Sequence, residues 1–323
     1  MPRTSAREVP ERVLRSFLLT LSHQRALGRA AVRVPLTRPM VGRFVAGQSL
    51  DEVLDALDVI RGLGFRTTVD VLGESVSSAA EASAAAARYL DTLTALADRG
   101  QERNVSMKLT QMGLDIGHDT VRENVSRVLR RAEELDAFVR IDMEDHTKTD
   151  ATLAIWRERR PLHPETGVVI QSALRRSAAD VEQIIAERGR VRLCKGAYNE
   201  PAAVAFPDKA DVDLAYAAMM ERLLVDGVYP AFATHDPALI RHAVRFAREK
   251  RIDRDRFEFQ MLFGVRRDLQ DRLLRAGYRV RLYVPFGSEW YPYFMRRLAE
   301  RPANVLFMVR AVAREGIRGD GTH

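Results

Sequence analysis

The chain reads Ala231-Phe-Ala-Thr-His-Asp-Pro-Ala-Leu-Ile-Arg-His-Ala-Val-Arg-Phe-Ala-Arg-Glu-Lys250 at the point that decides its fold. A short apolar run over 231–234 predicts a buried strand, and a longer helical pattern over 237–250 follows it, with Asp236 at the position of the N-cap. Another apolar run, 257–261, then predicts a second strand. A strand, a longer helix and a strand make the unit from which parallel sheets are built.

The same alternation extends in both directions from this unit. The predicted strands cover 66–71, 104–109, 138–143, 168–171, 191–193, 231–234, 257–261 and 280–284. The predicted helices cover 77–97, 120–134, 148–159, 177–187, 211–225, 237–250, 265–276 and 289–301. Eight strand–helix pairs in about 240 residues are typical of an α/β fold of the (β/α)8 TIM-barrel type. A doubly wound sheet is the alternative, but Gly62-Leu-Gly64 precedes the first strand and is a poor dinucleotide fingerprint.

The first 60 residues have a different texture from the rest. Apolar residues at helical spacing predict helices over 9–27 and 50–63, and the stretch 34–47 between them reads as a loop. We therefore predict an N-terminal helical arm over 1–60 and a catalytic barrel domain over 61–323.

Composition narrows the class of protein. The 323 residues are 46% hydrophobic and 29% charged, which is enough for a large core. A single cysteine, Cys194, excludes an intramolecular disulfide and is typical of a reducing compartment. No secretory apolar core is predicted near Met1, and no window of 18 apolar residues predicts a membrane span.

The net charge of +7 and the pI of about 9.8 raise the question of a nucleic-acid or anionic-membrane partner. The basic residues are dispersed among acidic ones, and only five of the 51 are lysines. A nucleic-acid binding protein would carry a concentrated basic stripe or a platform of aromatic side chains. The sequence has neither, so we expect no nucleic-acid partner.

Polar residues gather where the predicted strands end. They are Asp70, Lys108, Asp142, Glu144, Gln171, Arg192, Lys195, His235, Glu258, Gln260 and Tyr283. Barrel enzymes place their active sites at the carboxyl ends of the strands. Packing alone does not explain polar groups at so many matched positions, because each needs a partner once it leaves water. The sequence therefore predicts a site on this rim.

Two other chemistries compete for the same residues. A metal site is suggested by a crowd of possible ligands, Asp142, Glu144, Asp145 and His146. Alternating side chains along a strand would split that crowd between two faces, so we expect no metal. A Schiff base on Lys108 or Lys195 would make the protein a barrel lyase or aldolase, and neighbouring cations would lower the pKa of such a lysine. A permanently charged lysine that holds an anion fits equally well.

The last predicted helix carries two adjacent arginines. Its apolar stripe consists of Tyr291, Phe294, Met295 and Leu298. Its polar stripe consists of Tyr293, Arg296, Arg297 and Glu300. Guanidinium groups bind a carboxylate through paired hydrogen bonds, so this stripe is a candidate carboxylate clamp. A solvated face with intrahelical ion pairs is the alternative.

Several motifs together resemble those of bacterial proline dehydrogenase in its single-function form. They are Ile141-Asp-Met-Glu-Asp145, Arg192-Leu-Cys-Lys-Gly-Ala-Tyr198, Phe232-Ala-Thr-His235, Phe257-Glu-Phe-Gln-Met-Leu262 and Arg296-Arg297-Leu-Ala-Glu300-Arg301. The resemblance runs from about residue 63 to 309 and reaches every predicted strand. It implies a distorted (β/α)8 barrel with noncovalent FAD, which oxidises L-proline to 1-pyrroline-5-carboxylate and passes the electrons to a quinone.

The resemblance also implies roles for individual residues. Substrate binding falls to Lys108, Tyr283, Arg296 and Arg297. Flavin binding falls to Asp142, Met143, Gln171, Arg192, Lys195, Gly196, Ala197, Thr234 and His235. Asp142 and Arg192 would also act in catalysis, and Glu74 and Glu300 would support the arginine pair and close the site. Asn199 stands where the family often has a bulkier residue, so the resemblance does not define the flavin contacts at that edge.

The resemblance implies partners as well. They are L-proline, a quinone, membrane lipid in peripheral contact, and a pyrroline-5-carboxylate dehydrogenase as the neighbour in the pathway. A cytoplasmic protein is expected, with peripheral contact at the inner membrane as an open alternative.

Overall fold

The fold is seen in a computed structural model that describes residues 41–73 and 76–299, with side chains described as far as residue 295. The predicted helix over 9–27 lies outside the described residues, as do Glu74 and Glu300. The backbone at Arg296 and Arg297 is helical, but their side chains are outside the described part.

Strands and helices alternate through the described chain. The strands are β1 (Arg66–Val71), β2 (Asn104–Lys108), β3 (Phe138–Asp142), β4 (Thr166–Gln171), β5 (Val191–Cys194), β6 (Ala231–Ala233), β7 (Glu258–Leu262) and β8 (Val280–Phe286). The helices are α1 (Leu50–Gly62), α2 (Ala79–Asp98), α3 (His118–Glu134), α4 (Thr149–Arg159), α5 (Ser177–Ala186), α6 (Lys209–Asp226), α7 (Pro237–Glu249), α8 (Arg267–Arg275) and α9 (Trp290–Ala299). Short 3-10 turns cover His146–Lys148 and Arg254–Arg256.

The eight strands close into a parallel barrel in chain order, because β1 pairs with both β2 and β8. The predicted (β/α)8 TIM-type fold is therefore confirmed. None of the helices in the described ranges is long and apolar enough to cross a membrane.

Helix α1 belongs to the packing of the barrel. Ser49 caps its first turn through a capping box with Glu52, which satisfies amide groups that would otherwise lack partners. Its buried face, which includes Leu57 and Ile60, joins the same apolar core as the strands. The predicted boundary after residue 60 thus crosses a continuous core, and the division into an arm and a barrel stays a prediction.

The segment 41–47 lies against the carboxyl end of β8. The amide of Ala46 donates to the carbonyl of Pro285 at 2.9 Å, and the amide of Gly287 donates to the carbonyl of Gly47 at 3.0 Å. At Gly264, whose φ is +73°, any side chain would overlap the carbonyl oxygen of Arg43. The close approach of this backbone therefore requires glycine at 264.

Helix α9 packs against the same segment. A cluster separate from the main core contains Phe44, Val45, Leu72, Trp290, Tyr293, Phe294 and Met295. The assignment of Tyr293 to a polar stripe was wrong, because its side chain is buried in this cluster. Tyr291, which we placed on the apolar stripe, is only partly buried. The buried face of α9 is therefore rotated relative to the prediction, because the segment 41–47 covers it.

The inside of the barrel is polar through much of its depth. At its lower level, near the start of β7, Glu258 forms a bidentate ion pair with Arg281, at 2.7 and 3.0 Å. Glu258 also accepts hydrogen bonds from Gln260 at 2.5 Å and from Tyr229 at 3.0 Å. The placement of Glu258 on the rim was therefore wrong, because it is the first residue of β7 and not one near its end.

We expect the Glu258→Gln substitution to cost the protein about 3–5 kcal/mol of unfolding free energy, because it leaves the buried Arg281 without a full counter-charge. Burial raises the pKa of Glu258, but Arg281 outweighs burial and lowers it from 4.5 to about 2. The carboxylate therefore stabilises the fold above pH 4.5, and this contribution is lost as the pH falls towards 2. Urea denaturation at several pH values measures the difference, which should be largest near neutrality.

Glu102→Gln is the matched control for this prediction. Glu102 pairs with the same Arg281 at 2.9 Å, but its side chain is 37% exposed. We expect a loss below about 1 kcal/mol for this half-exposed pair. Equal losses in the two variants would contradict the buried-pair argument.

Candidate active site

Four neighbouring strands, β8, β1, β2 and β3, bring one cluster of charged and polar side chains together at the rim. The ammonium of Lys108 donates to Asp70 at 3.0 Å and to the hydroxyl of Tyr283 at 3.3 Å. It also lies 3.6 Å from the carboxylate of Asp142. The register of the sheet produces this meeting, since Lys108 and Asp142 are paired positions on β2 and β3.

Tyr283 links this cluster across the barrel. Its hydroxyl donates to Oδ2 of Asp142 at 2.7 Å. Residues on β8 and β3 can meet in this way only through the interior, so the cluster lies over the barrel's mouth. Lys108 and Tyr283, which the resemblance assigns to the substrate, thus lie beside Asp142, which it assigns to the flavin and to catalysis.

Arg192 lies deeper and holds the interior together. Its guanidinium donates to Asp142 at 2.6 Å, to the amide oxygen of Gln260 at 2.5 Å and to the hydroxyl of Ser106 at 2.9 Å. The guanidinium carbon also lies 5.2 Å from the centre of the Tyr283 ring. Arg192 on β5 therefore joins β2, β3 and β7, and it fixes one oxygen of Asp142 while Tyr283 binds the other.

The surroundings of Lys108 keep its charge in place. Burial alone would lower the pKa of Lys108, but Asp70 and Asp142 outweigh burial and raise it above its usual value. Of the two alternatives for Lys108, the structure therefore favours the permanently charged lysine, because its nearest charged neighbours are carboxylates. A Schiff base requires a neutral amine, so this environment does not suit that chemistry.

Lys195 also lies between carboxylates. Its ammonium is 2.5 Å from Asp213 and 2.8 Å from Asp236. Asp236 in turn caps α7, as predicted, by accepting from the amide of Ala238 at 2.9 Å. Lys195 thus ties the end of β5 to the starts of α6 and α7, on the side of the rim opposite Lys108.

The suggested metal ligands do not converge. Glu144 accepts hydrogen bonds from the amide and hydroxyl of Thr110, at 3.1 and 2.6 Å. His146 instead pairs with Glu200, and Asp145 accepts from the amide of Thr147 at 2.9 Å. Within residues 41–73 and 76–299, no group of three or more histidine, cysteine or acidic side chains is placed to hold a metal.

The far half of the rim carries the residues that we associated with a flavin. Gln171 is buried and donates to the carbonyl of Glu144 at 2.6 Å, while Nε2 of His235 accepts from the amide of Leu262 at 3.0 Å. Thr234 is buried as well, and its hydroxyl accepts from the amide of Asp236 at 3.1 Å. Met143 and the loop through Ala197 complete this half at the ends of β3 and β5.

Gly196 lies directly against this polar wall. Its φ is +112°, and a Cβ there would lie 2.9 Å from the amide oxygen of Gln171. The loop after β5 therefore requires glycine at this position, both for its backbone conformation and for its close approach to Gln171. Amide, hydroxyl and imidazole groups beside a glycine loop are suited to the many acceptors of a flavin, so the residues present fit that cofactor.

Cys194 takes no part in this arrangement. Burial raises the pKa of its thiol to about 12, and the side chain packs against the core. Such a thiol does not suit nucleophilic attack, because an attacking cysteine needs a lowered pKa.

The sequence analysis missed the lower polar level of the interior. Ser106, which bonds Arg192, also lies 3.1 Å from the hydroxyl of Thr68. A signal was present, because polar residues occupy every second position of several strands, as in Asn104-Val-Ser-Met-Lys108. Side chains alternate between the two faces of a strand, so this pattern indicates a polar barrel interior.

Comparison with known proteins agrees with this geometry. Residues 53–310 match the model of the family described as proline dehydrogenase. The chain belongs to the proline dehydrogenase family. It is 38% identical over 303 residues to proline dehydrogenase 1 of Bacillus subtilis subsp. natto, which covers 94% of this chain and 100% of that protein.

Two further family members are similar to the chain. Proline dehydrogenase of Deinococcus radiodurans is 41% identical over 277 residues, which cover 84% of this chain and 89% of that protein. The crystal structure of proline utilization A from Bdellovibrio bacteriovorus inactivated by N-propargylglycine superimposes with a TM-score of 0.76 and 29% identity. That match covers 81% of this chain and 32% of the solved one, so this chain spans about a third of the larger protein.

Proposed function

We propose that the protein oxidises L-proline to 1-pyrroline-5-carboxylate, with noncovalent FAD as the hydride acceptor and a quinone as the final acceptor of the electrons. Membership of the proline dehydrogenase family supports the reaction. The observation that carries the proposal is the cluster of Lys108, Asp142, Tyr283 and Arg192 over the mouth of the barrel.

The substrate side of the proposal needs cations around a carboxylate. Lys108 supplies a fixed positive charge whose two carboxylate partners hold it at the rim. Arg296 and Arg297 would provide the paired hydrogen bonds to the proline carboxylate. Tyr283 would form one wall of the pocket for the five-membered ring, since its side chain lies beside Lys108.

The cofactor side rests on the opposite half of the rim. FAD would be held by Gln171, Lys195, Gly196, Ala197, Thr234 and His235, with Met143 and Asp142 at the edge nearest the substrate. When bound, FAD supplies the acceptor for the hydride that leaves proline. Arg192 would favour negative charge on the flavin, and Asp142 keeps the guanidinium oriented through a 2.6 Å bond.

The raised pKa values of Tyr283 and Lys108 decide which groups can accept a proton at this site. Burial and the charge of Asp142 raise the pKa of Tyr283 well above its usual value, so its hydroxyl keeps its proton. Lys108 keeps its proton as well, so neither group takes a proton from the substrate amine. Arg296 and Arg297 would favour the neutral form of that amine, which is the form able to reduce the flavin.

The visible spectrum of the purified protein tests the proposal. We expect a yellow protein with absorbance near 450 nm that bleaches when L-proline is added without oxygen. Borohydride trapping with substrate distinguishes the lyase alternative, because a Schiff base would leave a labelled lysine. A colourless protein, or a labelled Lys108 or Lys195, would contradict the proposal.

The proposed partners follow from the reaction. The product is the substrate of a pyrroline-5-carboxylate dehydrogenase, which would be the neighbour in the pathway. A quinone acceptor dissolved in a membrane calls for peripheral contact with lipid, and the net charge of +7 favours anionic lipid. Cosedimentation with anionic and with neutral vesicles tests this contact, and equal binding to both would contradict an electrostatic one.

We expect Tyr283→Phe to lower kcat/KM for L-proline about tenfold, because Lys108 and Asp142 lose a hydrogen-bond partner at the substrate pocket. Steady-state kinetics with a quinone analogue measure the effect. Tyr216→Phe is the matched control, since that buried hydroxyl donates to the carbonyl of Leu193 at 3.2 Å, outside the cluster. Equal losses in both variants would show a general effect of removing a buried hydroxyl.

A further inference from the structure

Arg140 is a buried arginine that forms no direct ion pair within the described part of the chain. Its side chain is among the largest that are fully buried in the described part of the chain, at 2% exposure. Among the residues that the structure describes, its hydrogen bonds are two long ones, at 3.3 Å, to the carbonyls of Val168 and Arg190, and its Nε has no partner there. Among the described residues, no carboxylate forms an ion pair with this guanidinium.

The carboxylate at the same level of the barrel is already fully engaged. Glu258 accepts four hydrogen bonds, two of them from Arg281. Burial, and then the like charge of Arg192, lower the pKa of Arg140 well below its usual value, although the charge of Glu258 acts in the opposite direction. A buried charge without a partner is costly for a fold, so its presence calls for a reason.

The sequence makes room for this side chain. Arg140 pairs in register with Gly167 of β4, where a Cβ would lie 3.0 Å from the guanidinium and 2.7 Å from the ring of Phe138. The Phe138 ring also stacks with Arg140, at 4.9 Å from the guanidinium carbon. Gly167 and the ring of Phe138 thus form a pocket that fits the guanidinium of Arg140.

Arg140 points into the same interior as the active-site cluster. It stands two residues before Asp142 on β3, and side chains two residues apart lie on the same face of a strand. Asp142 and Arg192 meet in that interior, so Arg140 lies below them. Charges inside a barrel are poorly screened by water, and a guanidinium there acts over a longer distance than one on the surface.

We propose that Arg140 is a positioning residue for the flavin. Its buried charge, which is not held in an ion pair, adds to the positive charge of Arg192 and so raises the midpoint potential of the bound cofactor. This inference rests on the proposed function. Negative charge that the flavin gains on reduction is stabilised by a cation that is not held in a direct ion pair with a carboxylate. An ion pair at the same position would cancel most of that field.

The experiment compares midpoint potentials of the FAD-loaded wild type with those of Arg140→Gln, Arg140→Lys and Arg103→Gln. We expect Arg140→Gln to shift the ratio of reduced to oxidised flavin at least about tenfold towards oxidised, a drop of about 30 mV for two electrons. Arg140→Lys keeps the charge and should stay closer to the wild type. Arg103 lies near the same end of the barrel with a side chain 38% exposed, so its substitution should leave the potential unchanged.

Equal potentials in the wild type and Arg140→Gln would overturn the inference, and lower stability with an unchanged potential would show that Arg140 only supports the fold. If Arg140→Gln does not fold, Arg140→His takes its place. The imidazole loses its charge between about pH 5.5 and 8, so the midpoint potential of this variant should decrease more steeply with pH than that of the wild type. Midpoint potentials that change equally with pH in the two proteins would overturn the inference. A wild type that binds no flavin would instead contradict the proposed function itself.

Discussion

Arg192→Ala is expected to give a protein that retains little flavin and loses about 3–5 kcal/mol of unfolding free energy. Arg192 is 5% exposed and makes three short hydrogen bonds inside the barrel. Its removal leaves the carboxylate of Asp142 and the amide of Gln260 buried without their partner. The loss of stability comes from these stranded groups, and the loss of flavin comes from the missing charge.

Absorbance of the purified variant gives its flavin content, and urea denaturation gives its stability. Arg222→Ala is the control, because that arginine is 39% exposed and pairs with Glu182 on the surface. It should change the stability by less than about 1 kcal/mol and leave the flavin in place. Full flavin content in Arg192→Ala, with an unchanged redox potential, would remove Arg192 from the proposed cofactor site.

Lys108→Met is expected to lower kcat/KM for L-proline at least about a hundredfold, mainly through KM, with the flavin still bound. Loss of one member of a buried, hydrogen-bonded charge pair costs about 2–5 kcal/mol, and every 1.4 kcal/mol corresponds to about a factor of ten. The substitution also leaves Asp70 and Asp142 facing the substrate carboxylate, which they would repel. Steady-state kinetics and flavin absorbance together measure both parts of this expectation.

Lys250→Met controls for the loss of a lysine as such, since Lys250 is exposed and lies 5.8 Å from the ring of Phe246 on α7. We expect no change in KM for this variant. An unchanged KM in Lys108→Met would show that Lys108 does not bind the substrate. Loss of flavin with normal proline binding would instead place Lys108 in the cofactor site.

The barrel could be predicted from the sequence because its signals are local. Each strand is a short apolar run followed by a helical pattern, and this alternation leaves few arrangements. The depth of a side chain inside the barrel is not a local property. Glu258 was placed on the rim because it stands near Gln260 in the sequence, but the pairing of Gln260 with Arg281 on β8 puts Glu258 at the lower level.

The members of the candidate site could also be predicted, but their charge states could not. Lys108 and Asp142 end the neighbouring strands β2 and β3, Tyr283 lies in the middle of β8, and the fold brings the three together. The pKa of Lys108 depends on which charges lie within a few ångströms, and that follows from the register between β1, β2 and β3. Tyr293 shows the same limit, because its burial depends on a distant segment around Phe44.

The polar filling of the barrel has a consequence for protein engineering. In most barrels of this kind, branched aliphatic side chains occupy the interior. A redesign that replaced both members of a buried ion pair, such as Glu258 together with Arg281, by such residues would remove buried charges without leaving a partner unpaired, and we expect it to raise the melting temperature. It would also weaken the electric field at the proposed active site, so a gain in stability would come at the expense of turnover.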